Sequence, residues 1–176
     1  LNISNYAQQG WFLQSPSPTI QDLRDVFFID TLNGWSVGDA GVIIKTSDGG
    51  ENWTSLFDKQ ATQSIGNIAL APSNPNILYV GTGEANIFRS SLPGVGIYKS
   101  MDAGKSFQHI GLENADTISR IIVHPFHPEI VYVAASGNEW TYNKDRGVYQ
   151  TTDGGKTWKK ILNESEKSGC IDLVMD

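Results

Sequence analysis

The chain has 176 residues, with 13 Lys and Arg against 19 Asp and Glu, a formal charge of −6 and a pI near 5.0. So acidic a chain has little from which to build the basic face that displaces counterions from phosphates, which argues against nucleic acid as a partner. Hydrophobic residues at 39% and charged residues at 18% place it among folded globular proteins. No apolar run approaches the roughly 20 residues of a membrane helix, and the single Cys170 leaves no internal disulfide framework and no multi-cysteine zinc site.

In chain order, Leu1 to Gly10 lacks the basic and apolar regions of a signal peptide, and Leu1 is not an initiator Met; the expectation is a chain processed or cut from something longer. Gly10 to Leu13 reads as a short outer strand. Asp25 to Gly38 carries two apolar runs around Asp30 to Gly34, and after Lys45 comes Thr46-Ser47-Asp48-Gly49-Gly50-Glu51-Asn52-Trp53. In the next stretch, Ile65 to Leu70 is a strand, Pro72 to Asn76 a turn where proline withholds ladder donors, and Ile77 to Gly81 a second strand. A long loop follows, then Gly96 to Ser100, the turn Ser100-Met101-Asp102-Ala103-Gly104-Lys105-Ser106-Phe107, and a strand to Ile110. The same order recurs from Ile121 to Val133 and through Thr151-Thr152-Asp153-Gly154-Gly155-Lys156-Thr157-Trp158. Cys170 to Met175 reads as the first strand of yet another unit.

These are internal repeats. Asp48, Asp102 and Asp153 stand 54 and 51 positions apart, and Ile68 to Val80 aligns with Ile121 to Val133 through two prolines and a Tyr-Val pair. No stretch of ten residues has helical periodicity. Four short antiparallel strands per unit of about 50 residues mark an all-β fold of β-propeller blades, here about Thr19 to Phe57, Gln63 to Leu112 and Thr117 to Leu162. Three blades do not close a ring of about four to eight. The expectation is therefore that further blades come from the same longer chain or from other subunits.

In each turn the glycines supply positive φ, and the Asp carboxylate and Ser or Thr hydroxyl accept backbone N–H groups. The structural set is Thr46, Asp48, Gly50 and Trp53; Ser100, Asp102, Gly104 and Phe107; Thr151, Asp153, Gly155 and Trp158. One carboxylate per turn is too few for a calcium shell of six to eight oxygens. The turns resemble the Asp-box, or bacterial neuraminidase repeat, of sialidases, xyloglucan-degrading propellers, sortilin-type receptors and the photosystem II assembly-factor family. Asp25 to Trp53 looks most like the assembly-factor type. Ile65 to Asp176 looks more like sortilin-type or glycosyl hydrolase repeat proteins. The motif belongs to the blade and not to one function. The sialidase arginine triad finds no match: Phe88-Arg89-Ser90-Ser91 lacks its Ile-Pro, and only Arg24, Arg89, Arg120 and Arg146 are present.

Aligning Val37 with Val80 and Lys45 with Lys99 gives the second unit 11 extra residues between its second and third strands, and the third unit keeps nearly that length. The loops Thr82 to Val95 and Ala135 to Gly147 thereby become the candidate ligand surface, which the resemblance places opposite the Asp-box turns. Glu84, Asn86 and Arg89 come from the first, and Asn138, Glu139, Trp140, Tyr142, Asp145 and Arg146 from the second. Such aromatics and ions suit a protein or glycan ligand. No catalytic residue is assigned; in the alternative reading, a glycoside hydrolase, Glu84 and Glu139 form the carboxylate pair. No cofactor or metal set is discernible: His124 and His127 align with Ala71 and Asn74, so their turn folds without imidazoles. Asn2, Asn52 and Asn163 head glycosylation sequons. The resembled families act mainly outside the cytoplasm, which implies a secreted, cell-surface or periplasmic protein.

Overall fold

The computed structural model describes residues 18–85, 92–138 and 140–176, so the Gly10 to Leu13 strand lies outside the described residues. Three four-stranded antiparallel sheets follow one another, each in sequential strand order. The first blade is β1 (Leu23–Phe28), β2 (Gly34–Gly38), β3 (Ile43–Thr46) and β4 (Thr54–Ser55); the second is β5 (Ile65–Ala71), β6 (Asn74–Thr82), β7 (Ile97–Ser100) and β8 (Gln108–His109); the third is β9 (Ile118–Val123), β10 (Val131–Ala135), β11 (Gly147–Thr151) and β12 (Lys159–Leu162). The all-β blade reading stands.

Strand register corrects two details. Trp35 pairs with Lys45 and Tyr79 with Lys99, so the second strands are offset by 44 and the third by 54, and the second blade gains ten residues, not 11. Matching the Val-Gly letters slips the alignment by one residue relative to the strand register. β6 also begins at Asn74 instead of Ile77: Ala71 pairs with Asn74 and Leu70 with Leu78, and the irregularity between them takes up Pro75, whose missing N–H suits a strand end or bulge.

The Asp-box turns explain why the third and fourth strands can meet. In the third blade Thr151 Oγ1 donates to Asp153 Oδ1 at 2.7 Å and accepts from Gly155 N at 2.9 Å, while the Asp153 carboxylate accepts from Thr157 N at 3.0 Å and Thr157 Oγ1 at 2.6 Å. Thr46 with Asp48, and Ser100 with Asp102, repeat the arrangement. The turn then docks on the first hairpin of its own blade: Gly49 N donates to Leu32 O, Ala103 N to Asn76 O and Gly154 N to Glu129 O, at 2.8–2.9 Å. Both hairpins thus share one end of the blade, and the loops between second and third strands emerge at the other.

Neighbouring blades join through a repeated set of contacts. Lys45 Nζ donates to Ala103 O and Lys99 Nζ to Gly154 O, so a third-strand amine reaches the next Asp-box turn. Leu56 and Ile110, each three residues beyond an Asp-box aromatic, fill the space a Cβ would need on Gly104 and Gly155. Burial is greatest between blades two and three, where Tyr79, Ile97, Ile118, Ile121, Val131, Val133 and Tyr149 form one cluster. A second cluster of Ile43, Phe57, Val80 and Tyr98 joins blades one and two. β1, in contrast, leaves all six of its residues exposed.

Residues 170–176 make no strand pairing among the described residues. They lie beside β9, with Ser119 Oγ donating to Cys170 O at 2.8 Å and Arg120 paired with Asp172.

Candidate functional site

The two long loops meet on a common support, the connection from Ile110 to Thr117. Gly94 N donates to Asp116 O at 2.6 Å, and Asn143 Nδ2 donates to Asn114 O at 3.3 Å. The connection is sharply folded, with Leu112 at φ 60° and Asp116 at φ 63°, left-handed geometry that non-glycine residues seldom adopt. Ala115 anchors it in the core. Sequence reasoning passed over this segment, because nothing in Leu-Glu-Asn-Ala-Asp announces that two loops rest on its carbonyls.

Glu84 sits at the mouth of the first loop and closes it: its carboxylate accepts from Leu92 N at 3.0 Å, and its own N–H donates to Leu92 O at 3.1 Å. Asn86 and Arg89 of the same loop lie outside the described residues, as does Glu139 in the second loop.

The second loop is built around Arg146. Its guanidinium donates to the carbonyls of Asn138, Thr141 and Lys167, and Gly137, at φ 75°, leaves no room for a Cβ beside the arginine stem. Asn138 Oδ1 accepts from Trp140 N and Thr141 N, an Asx turn that sets the direction of the loop. Asp145 is tied inward through its backbone, its N–H donating to Asn143 Oδ1 and its carbonyl accepting from Tyr149 OH. Desolvation pushes the Tyr149 phenol up to about 12, so it stays a donor at any physiological pH. Outside this frame stand Trp140 and Tyr142, 72% and 70% exposed. Lys167 Nζ lies 5.1 Å from the Tyr142 ring centroid. The structure thus brings Asn138, Trp140, Tyr142, Asp145 and Arg146 together as one braced loop and joins it to the Glu84 loop through residues 110–117.

On the opposite end, His124 Nδ1 accepts from Phe126 N, and His127 Nδ1 is 3.5 Å from Glu129, so both imidazoles serve their turn. Asn52 Nδ2, in its sequon, donates to Asp48. No helix among the described residues is long and apolar enough to cross a membrane.

Comparison with known proteins agrees with this architecture. A probable oligoxyloglucan-reducing end-specific xyloglucanase of Neosartorya fischeri is 31% identical over 99 residues, 53% of this chain and 10% of its own. Among solved structures, an ancestral GH74 enzyme superposes with a TM-score of 0.64 at 18% identity, over 90% of this chain and 20% of that one. YCF48 bound to D1 peptide gives 0.58 at 18% identity, covering 87% of this chain and 43% of its own. YCF48 from Cyanidioschyzon merolae gives 0.57 at 21%, with 87% and 44% covered. At these identities the structural likeness is one of fold, and the chain spans a tenth of the curated relative and less than half of each structure. The model of the photosynthesis system II assembly factor YCF48 family matches residues 4–174, nearly the whole length, and the chain belongs to that family.

Proposed function

We propose that the chain is part of a non-catalytic propeller that binds a protein or glycan ligand, a peptide segment foremost, through the surface formed by its two long loops. The observation that carries this is the braced loop of blade three: three backbone carbonyls are held by Arg146 while Trp140 and Tyr142 point away from the core. Exposed aromatics on a rigid loop bury area on a ligand at small entropic cost. Likeness to a propeller solved with a peptide favours the protein ligand. The hydrolase alternative asks for two carboxylates at one sugar ring, one with a raised pKa; Glu84 is committed to the Leu92 amide, which suits a loop clasp better than a general acid. The remaining blades belong to the longer polypeptide or to other subunits, and the protein works outside the cytoplasm, in a secreted, cell-surface or periplasmic setting. An export signal in the full gene is the outcome expected of the last point.

The test is a titration of the chain, and of Trp140→Ala, Tyr142→Ala and Glu84→Gln, with D1 peptide and with xyloglucan oligosaccharides. Binding of the peptide that falls about tenfold or more in Trp140→Ala, with no sugar turnover by any form, supports the reading. Turnover that vanishes in Glu84→Gln while binding survives overturns it.

A further inference from the structure

We propose that Trp140 and Tyr142 read a cationic side chain, Lys or Arg, in a peptide ligand, and that Lys167 holds the place of that cation in the free protein. The inference rests on the binding reading above and adds the chemistry of what is bound. An ammonium over a tyrosine face is attracted by the ring quadrupole, and tryptophan offers a stronger face of the same kind. Lys167 already uses Tyr142 in this way, at 5.1 Å. Its backbone is fixed, because its carbonyl accepts from Arg146 Nη1 at 2.9 Å, but its side chain is exposed, so the ammonium can leave the ring without moving the chain.

The surroundings favour a positive guest. Asn143 N donates to Glu166 O, which binds the segment that carries Lys167 to the aromatic loop, and the exposed Glu164 and Glu166 stand on that segment. Glu113 and Asp116 lie on the support beneath both loops, and none of these four carboxylates is in an ion pair among the described residues. Arg146, Lys144, Lys167 and Lys160, whose Nζ donates to Lys144 O, are the cations on these segments, against the five carboxylates of Glu113, Asp116, Asp145, Glu164 and Glu166. A cation arriving on the Tyr142 face gains the ring quadrupole in surroundings where carboxylates outnumber cations by one. A sugar would use the rings and leave the charge idle.

The experiment uses two capped pentapeptides, Gly-Arg-Gly-Arg-Gly and its twin with both arginines replaced by glutamine, alongside D1 peptide and a xyloglucan heptasaccharide. Binding is read from the Trp140 indole N–H resonance at low and at physiological salt. The arginine peptide is expected to bind about tenfold or more tightly than its twin at low salt. Lys167→Gln, by removing the internal occupant, tightens that binding about threefold, and Tyr142→Leu removes the gain. Lys167→Met, which retains the stem, behaves as Lys167→Gln and separates charge from packing. Equal binding of the twins, or weaker binding of the arginine peptide in Lys167→Gln, overturns the proposal. If D1 peptide binding still depends on Trp140 in that case, the binding reading stands and only the cation is lost. If the heptasaccharide alone moves the Trp140 signal, the cation proposal falls and the glycan ligand takes its place.

Discussion

At the scale of single residues the Asp-box is a small electrostatic device. Hydrogen bonds from Asn52 hold Asp48 down to about 2, those from Ser106 hold Asp102 down to about 2, and those from Thr157 hold Asp153 lower still, against an ordinary 3.8. A folded-state pKa below the unfolded value gives stability that is complete above about pH 4 and drains away as pH falls towards 2. The melting temperature is therefore expected to drop across that window. In a triple variant with Asp48, Asp102 and Asp153 changed to Asn, the neutral-pH melting temperature falls and the acid slope flattens; an unchanged slope would show that other carboxylates govern it. The buried hydroxyl is the other half of the device. Thr151→Val keeps the shape but strips Gly155 N of its acceptor, a cost of about 1–3 kcal/mol, measured by urea denaturation. These residues were legible in the sequence because the turn is made of side chains bonding to positions two to four away, so chemistry and spacing are written together. The first glycine is the tolerant letter: Ala103 takes φ 61° where Gly49 and Gly154 take 77° and 73°. Its buried methyl offsets part of the left-handed cost.

Blades were legible as elements, and their junctions were not. Hairpins declare themselves through proline, glycine and β-branched runs, whereas the reach of Lys99 to Gly154 O joins positions 55 apart through a carbonyl that has no letter of its own. The same limit hid the role of Arg146. Its side chain read as a ligand-facing charge, but its acceptors are backbone oxygens, which every residue carries. The junction makes its own prediction. Gly155, at φ 94°, faces Ile110 Cδ1 at 2.4 Å from the position of a Cβ. Gly155→Ala is expected to cost about 1–2 kcal/mol for the backbone alone, and more if Ile110 cannot shift. Because the strain falls between blades two and three, the variant should also loosen Trp158, whose Nε1 donates to Ile110 O at 2.7 Å. A red shift in tryptophan emission at low urea, ahead of global unfolding, checks this; unfolding in one step at the unchanged midpoint would refute it.

Across the whole molecule, burial is uneven, and the unevenness follows from which blade faces have neighbours. β9 and β10 carry Ile118, Val131, Val133 and Ala135 fully buried, inside the cluster that blades two and three share. β1 has its ladder to β2 but exposes Val26, Phe27 and Phe28, and among the described residues no layer packs over its sheet on that side. Hydrogen bonds resist exchange only as long as the packing around them holds, so the opening free energy should rise from the first blade to the junction of the second and third. Hydrogen exchange of the dilute chain is expected to show β1 amides exchanging about a hundredfold or more faster than those of β10. Adding a partner that covers the first blade would slow β1 selectively, while a ligand on the loop surface would protect Asn143, which donates to Glu166 O, and leave β1 unchanged. Equal protection of β1 and β10 in the free chain would mean that the exposed strand is held by something other than its own sheet.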